Sequence, residues 1–226
     1  MPRLMQRVAE QEVMDDWENV EAYANADFSV AHNEVISRYQ NTFQHLLNPA
    51  KVLDLGCGAA DIAIRFSQTS PRSQIDAVDA SAPMLAYAEQ AVRIAGLSQK
   101  IKLYESMLPD CHWPTQIYDL IISNSLLHHM THAEDFWQVI KTIAHAQTHI
   151  FVVDLCRPDS LEQAAALTQQ HMADAPEILQ QDFYNSLLAA YTLDEVKDQL
   201  DAFNWTHFHV EKYSDRHMMI AGRICP

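Results

Sequence analysis

Hydrophobic residues recur along this chain in two alternating rhythms. Short runs rich in Val, Ile and Leu read as buried strands: KVLDL (51–55), SQIDAVD (73–79), KIKLYE (100–105), YDLIISNS (118–125) and HIFVVDL (149–155). Between them, Ala82 to Ala95 and EDFWQVIKTIAHA (134–146) repeat their apolar positions every three or four residues, as helices do. Another helix is expected after the first strand, opened by Gly56 and Gly58. Such strands, separated by crossover helices, call for a parallel sheet covered on both faces. Two helices are expected ahead of the alternation, at roughly 5–24 and 29–47. The second starts at Ser29, an N-cap type, and lines up Val30, Val35, Ile36, Tyr39, Phe43 and Leu47 near one face.

After Leu155 the rhythm changes. Residues 157–191 read as two helices with no strand between them. TLDEVKDQLDAF (192–203) opens with Thr192 and Glu195 at capping-box spacing. WTHFHVEKY (205–213) and RHMMIAGR (216–223) read as a hairpin joined at Ser214 and Asp215. No linker, repeat or low-complexity tract interrupts the run, so residues 1–226 are read as one domain. Its parts are an N-terminal helical cap (1–48), a core (49–156), a helical insertion (157–191) and a last helix with hairpin (192–226).

Composition narrows the class. A chain of 226 residues, 48% hydrophobic and 20% charged, can bury roughly 70% of its unfolded surface around one α/β core. No apolar run approaches about 20 residues, so no membrane span is expected. The N-terminal stretch is broken by Arg, Glu and Asp and lacks the apolar core of a signal peptide. Cys57, Cys111, Cys156 and Cys225 form no CxxC pair, which suits a reducing cytoplasm and argues against a cysteine-ligated zinc. A net charge of −15 leaves no basic footprint for nucleic acid or anionic membranes.

Candidate chemistry begins at AKVLDLGCGAAD (50–61), which holds two of the chain's four glycines. The loop falls at the carboxyl end of the first strand, where open α/β sheets bind ligands. A dinucleotide fingerprint needs a third glycine three residues after Gly58; that position is Asp61. Asp54 and Asp61 flanking a pyrophosphate would repel it, whereas they suit the sulfonium and ammonium of S-adenosylmethionine. Asp79, 21 residues beyond Gly58, ends the second strand, where a carboxylate accepts ribose hydroxyls; dinucleotide proteins share this feature. Ala80 and Met84 offer an apolar wall for adenine, although Met84 reads equally well as a core residue. Glu105, Ser106 and Met107 follow the third strand, Glu105 as an acceptor for the adenine amino group, and Asn124 ends the fourth.

Taken in order, VLDLGCGAAD, VDASAPMLAYA, YESMLPD and YDLIISNSLLHHM resemble the successive motifs of class I S-adenosylmethionine-dependent methyltransferases over residues 50–155. The resemblance implies a Rossmann-like α/β fold: a seven-stranded mixed sheet of order 3-2-1-4-5-7-6, last strand antiparallel, with helices on both faces. It also implies that Asp54, Gly56, Cys57 and Gly58 hold the methionine part and Asp79 the ribose. Ala80, Met84, Glu105, Ser106 and Met107 would surround the adenine, and Asn124 would form the pocket floor. Tyr23 is grouped with the cofactor. One departure is Ala60, where many relatives carry glycine. The LHH after the fourth strand resembles small-molecule methyltransferases, including quinone-biosynthesis and arsenite-methylating groups. The Pro-Pro-aromatic signature of amino-methylating relatives is absent from Asn124, Ser125, Leu126 and Leu127.

For the acceptor, His128 and His129 are the general-base candidates, with helix capping or packing as their structural reading. His128 and His132 also form an HxxxH pair, but no Glu follows the first His, and no metal is expected. The substrate candidates are His32, Arg157, Tyr184, Asn185 and Tyr191, from the segments outside the common frame, and His217 beside Arg216. The expected activity is in-line methyl transfer from S-adenosylmethionine to a small molecule, yielding S-adenosylhomocysteine. A non-catalytic, regulatory S-adenosylmethionine-binding protein stays open. So does an NAD-dependent oxidoreductase, which Asp54 and Asp61 disfavour.

Overall fold

The five apolar runs become parallel neighbours in the computed structural model, which describes residues 5–10, 15–110 and 117–225. They are β1 (Lys51–Leu55), β2 (Gln74–Asp79), β3 (Ile101–Glu105), β4 (Leu120–Asn124) and β5 (His149–Leu155). The hairpin supplies β6 (His209–Lys212) and β7 (His217–Arg223), the latter antiparallel to β5 with Val152 opposite Ile220. The sheet order is β3-β2-β1-β4-β5-β7-β6, as the resemblance implies.

Alternation along each strand builds two cores. Val52, Ile75, Leu120, Ile122, Phe151 and Val153 face α2 (Ser29–Thr42), α3 (Asp61–Thr69) and α4 (Ala82–Ile94). Their neighbours Leu53, Ile121, Ile150 and Val152 face the other way, onto α5 (Ala133–Ile143) and α8 (Leu193–Ala202). The insertion folds as α6 (Leu161–Met172) and α7 (Glu177–Ala189), which close a third, smaller cluster with Leu155. Thr192 and Glu195 form the expected capping box.

The N-terminal expectation is corrected in part. Among the described residues only Trp17–Asn25 is helical there, as α1, because Asp16 accepts from the amides of Glu18 and Asn19 and starts the helix at that point. Residues 5–10 form an irregular strap along α7, with Val8 N donating to Leu188 O at 3.0 Å; residues 11–14 lie outside the described set, as does Cys111. The second helix stops at Thr42, and its buried face is His32, Val35, Ile36 and Tyr39, continued by Phe43. Val30, 84% exposed, and Leu47 leave that face.

The hairpin carries the first testable consequence. Gly222 in β7 pairs with Ile150, and a Cβ there would meet the Phe208 ring at 2.3 Å. Phe208 is itself stacked on Trp205 at 5.3 Å and cannot withdraw cheaply. Gly222→Ala is therefore expected to destabilise the chain by about 1–3 kcal/mol. It should show as a lower urea midpoint with an unchanged slope.

Candidate functional site

A cleft of about 1260 Å³ opens at the carboxyl ends of β1, β2 and β4. Its floor is the turn after β1. Gly56 (φ +71°) and Gly58 (φ +51°) occupy the left-handed region, and the amides of Gly56 and Cys57 both donate to Val78 O. A side chain on Gly56 would strike Leu126 at 2.9 Å, whereas nothing lies within 4 Å of a Cβ on Gly58. Ala60, the departure from the family pattern, adopts φ +66° as the N-cap of α3.

Two carboxylates dominate the charge. Asp79 Oδ2 accepts from Gly58 N at 2.7 Å and Oδ1 from Ser81 N at 2.9 Å, tying the β1 turn to the end of β2. Asp54 is 1% exposed, and its Oδ2 has no hydrogen-bond partner. Burial, with Asp79 beside it, pushes the Asp54 carboxyl up to about 7. Burial likewise raises Asp79 above the usual carboxylate range.

Asp61 behaves differently from the expectation. Its Oδ2 is paired with His32 Nδ1 at 2.5 Å and Arg65 Nε at 2.7 Å, so its charge is neutralised locally. The electrostatic case against a pyrophosphate therefore rests on Asp54 and Asp79. His32 lines the cleft with this nitrogen already committed. Tyr23 and Phe28 complete an aromatic flank, their ring centroids 4.8 Å apart.

Cys57, Ala80, Met84, Ser106, Met107 and Asn124 also line the cleft. Glu105 does not. Its exposed side chain lies in a shallow depression with Ala82, Leu85 and Glu89, because successive residues of a strand face opposite sides and Ser106 takes the cleft side.

At the other end, a short 3₁₀ turn (Leu127–His129) follows β4. His128 is buried, and its Nδ1 donates to Asp154 Oδ1 at 2.5 Å; Asp154 Oδ2 accepts from Leu127 N at 2.7 Å. Glu10 Oε1, from the N-terminal strap, lies 3.5 Å from His128 Nε2 and 3.2 Å from His129 Nδ1. Burial disfavours charge on His128, but Asp154 and then Glu10 outweigh it and raise the imidazole. Burial pushes Asp154 up, and His128 more than reverses this. Arg7 fastens the strap by donating to His128 O and Met130 O at 2.8 Å each and to Ala189 O at 2.5 Å.

Four expected substrate residues lie elsewhere. Arg157 is buried against Glu195 and Ala190 O. Tyr191 donates to Met130 O at 3.2 Å beneath the Arg7 guanidinium. Tyr184 packs in the α6–α7 cluster, and Asn185 accepts from Gln181 at 2.8 Å. Helical periodicity is the reason: Leu179, Asp182, Phe183 and Ser186, at positions i, i+3, i+4 and i+7, are the α7 residues that reach the cleft. His217 does line it, stacked on Tyr213, and burial drives its imidazole down to about 4. His132 is exposed, so the HxxxH spacing builds nothing. Reading the sequence missed Asp154, Glu10, Arg7, Asp182 and Ser186. A carboxylate closing the fifth apolar run was a usable signal for Asp154; Glu10 had none.

Residues 52–149 match the family model described as a methyltransferase domain. A malonyl-[acyl-carrier protein] O-methyltransferase of Legionella pneumophila is 24% identical over 190 residues, covering 81% of this chain and 62% of that protein. A release factor glutamine methyltransferase of Rhodopirellula baltica is 38% identical over 73 residues, 32% of this chain and 25% of that protein. The chain thus spans less than two thirds of these curated relatives. A SAM-dependent methyltransferase structure from Aquifex aeolicus superposes with a TM-score of 0.65 at 16% identity, over 92% of this chain and 98% of that one. A plantazolicin methyltransferase, solved with a pentazolic desmethyl analogue and SAH, gives 0.67 at 16% identity over 91% and 90%. At such identities the shared property is the fold.

Proposed function

From the methyltransferase-domain match over residues 52–149 and the shared fold, we propose that the chain is a class I S-adenosylmethionine-dependent methyltransferase and that it methylates a small molecule. Asp54 carries the reading. A buried carboxylate with an unpartnered oxygen, next to Asp79, is costly unless a cationic ligand completes it. Asp54 with Gly56, Cys57 and Gly58 would hold the methionine part, and Asp79 the ribose. Ala80, Met84, Ser106 and Met107 would enclose the adenine, with Asn124 and Tyr23 completing the wall. S-adenosylmethionine supplies an electrophilic methyl group on a sulfonium.

The protein's own task is alignment, which can supply ~7–11 kcal/mol of the barrier. His128 and His129 stand at the acceptor end, where activation of the acceptor belongs. Asp154 fixes the His128 ring, so that Nε2 points toward Glu10. His32, His217, Leu179, Asp182 and Ser186 border the acceptor space. The cleft exceeds the ~300–1,000 Å³ of a pocket for one small ligand, which suits cofactor and acceptor together. The glutamine-methylating relative matches only a third of this chain, and the Pro-Pro-aromatic stretch is missing here. Both points favour a small acceptor over protein or nucleic acid, as does the −15 charge. Free thiols at Cys57, Cys156 and Cys225 suit a cytoplasmic setting. Among the described residues no helix is long and apolar enough to cross a membrane.

Calorimetry is expected to show S-adenosylhomocysteine binding at micromolar affinity and no NADH binding. S-adenosylhomocysteine should then form with at least one member of a panel of thiols, phenols, quinols and carboxylates. NADH binding without binding of either sulfur ligand would overturn the reading.

A further inference from the structure

We propose that Glu10, His128 and His129 form a binding site for one divalent transition-metal ion beside the acceptor space. This deepens the methyltransferase reading and rests on it for its role, though not for its geometry. One carboxylate oxygen, Nε2 of His128 and Nδ1 of His129 all lie within 4.8 Å of one another. Glu10 Oε1 stands 3.5 Å from the first nitrogen and 3.2 Å from the second. Donors bound at ~2.0–2.1 Å around a tetrahedral ion are separated by roughly 3.3 Å. The two carboxylate-to-imidazole separations are those of a tetrahedral edge.

The surroundings have the form of a supported site. Asp154 accepts a hydrogen bond from the Nδ1–H of His128, a tautomer that leaves the Nε2 lone pair for an ion; metal-bound histidines commonly have such a carboxylate partner. Leu127 N holds the other oxygen of Asp154, and Ser186 Oγ donates to Glu10 at 3.0 Å. Arg7, three residues before Glu10, fastens the strap to the histidine turn itself through His128 O and Met130 O. Sequence spacing could not reveal the set, since Glu10 lies 118 positions from His128.

Two imidazoles and one carboxylate suit zinc, cobalt or iron rather than magnesium or calcium, which call for oxygen donors. Three protein ligands leave a fourth position for water or substrate. Both histidines and Ser186 line the cleft, so that position is available to an acceptor hydroxyl or thiol. Coordination releases the acceptor's proton to water and leaves the oxygen or sulfur anionic near neutral pH. The ion, rather than a free imidazole, then performs the activation assigned to this end of the cleft.

The test uses the whole chain, stripped with a chelator and titrated with zinc by calorimetry and with cobalt by visible absorption. One equivalent should bind at micromolar affinity or tighter, cobalt giving the intense ligand-field bands of a tetrahedral site. Glu10→Gln, close in shape, and His129→Gln should each weaken binding at least about tenfold, and Asp154→Asn by about 10–100-fold. Circular dichroism and Tm confirm folding of each variant. His149→Gln is the control for the surface pair His45 and His149, 3.2 Å apart, and should leave this equivalent unchanged. Absence of saturable zinc and cobalt binding, or binding indifferent to Glu10→Gln, overturns the site. S-adenosylhomocysteine binding is measured on the same samples. If it binds and zinc does not, the metal site alone falls; if zinc binds without it, the metal site stands and the methyl-donor reading falls.

Discussion

Asp79→Ala is expected to weaken S-adenosylhomocysteine binding by at least about a hundredfold while the chain stays folded. Hydrogen bonds to a charged acceptor contribute about 1.5–3 kcal/mol each, and a ribose offers two hydroxyls to one carboxylate. The same side chain holds Gly58 N and Ser81 N, so its loss also frees the turn that shapes the floor. The two contributions separate in a second variant. Asp79→Asn keeps an acceptor oxygen but loses the charge, and should recover part of the affinity. Calorimetry on both variants checks this; wild-type affinity in Asp79→Ala would remove Asp79 from the site.

The second large effect is proton-linked binding at Asp54. In the free protein its carboxyl titrates at about 7, against an ordinary value of 3.8. A cationic ligand favours the carboxylate, so binding expels the proton wherever Asp54 carries one. Affinity should therefore rise with pH through about 7 and level off above it, with roughly a tenfold difference between about pH 6 and pH 8. Calorimetry in buffers of different ionisation enthalpy should detect about one proton released near pH 6. The stability of the free protein runs in the opposite direction. A raised carboxyl keeps its proton better folded than unfolded, so stability falls as pH climbs from about 4 to about 7. The ceiling of this loss is about 4 kcal/mol above pH 7. Asp54→Asn should raise the urea midpoint at pH 8 and not at pH 4, and should flatten the pH dependence of binding. A pH-independent affinity in the wild type would show that Asp54 does not face the ligand's charge.

The legible part of the molecule is its middle. KVLDL, SQIDAVD, YDLIISNS and HIFVVDL each contain their strand, since burial on both faces demands mostly apolar residues. KIKLYE contains the edge strand β3, of which only Ile101 is buried. The N-terminal helix was harder to read. An amphipathic pattern from residue 5 continues across Asp16, but that carboxylate caps the amides that follow it, and residues 5–10 lie along α7. Tyr184 and Asn185 show a different limit. The DFYNS stretch is helical as read, yet a rotation of one position decides whether a side chain meets the cleft, and Asp182 and Ser186 hold that face.

What the sequence determined by itself was the sheet, its carboxyl edge and the end of the cleft that holds Asp54, Gly56, Gly58 and Asp79. Those features are local: a strand, the turn after it and the carboxylate at its end lie within a few residues of one another, so spacing specifies them. The acceptor end belongs to the tertiary structure. Glu10, His128, Asp154 and Ser186 come from a strap, a turn, a strand and a helix, and only packing brings them within hydrogen-bonding reach. Their polar atoms carry no periodicity, because each is placed by the burial of its neighbours rather than by its own pattern.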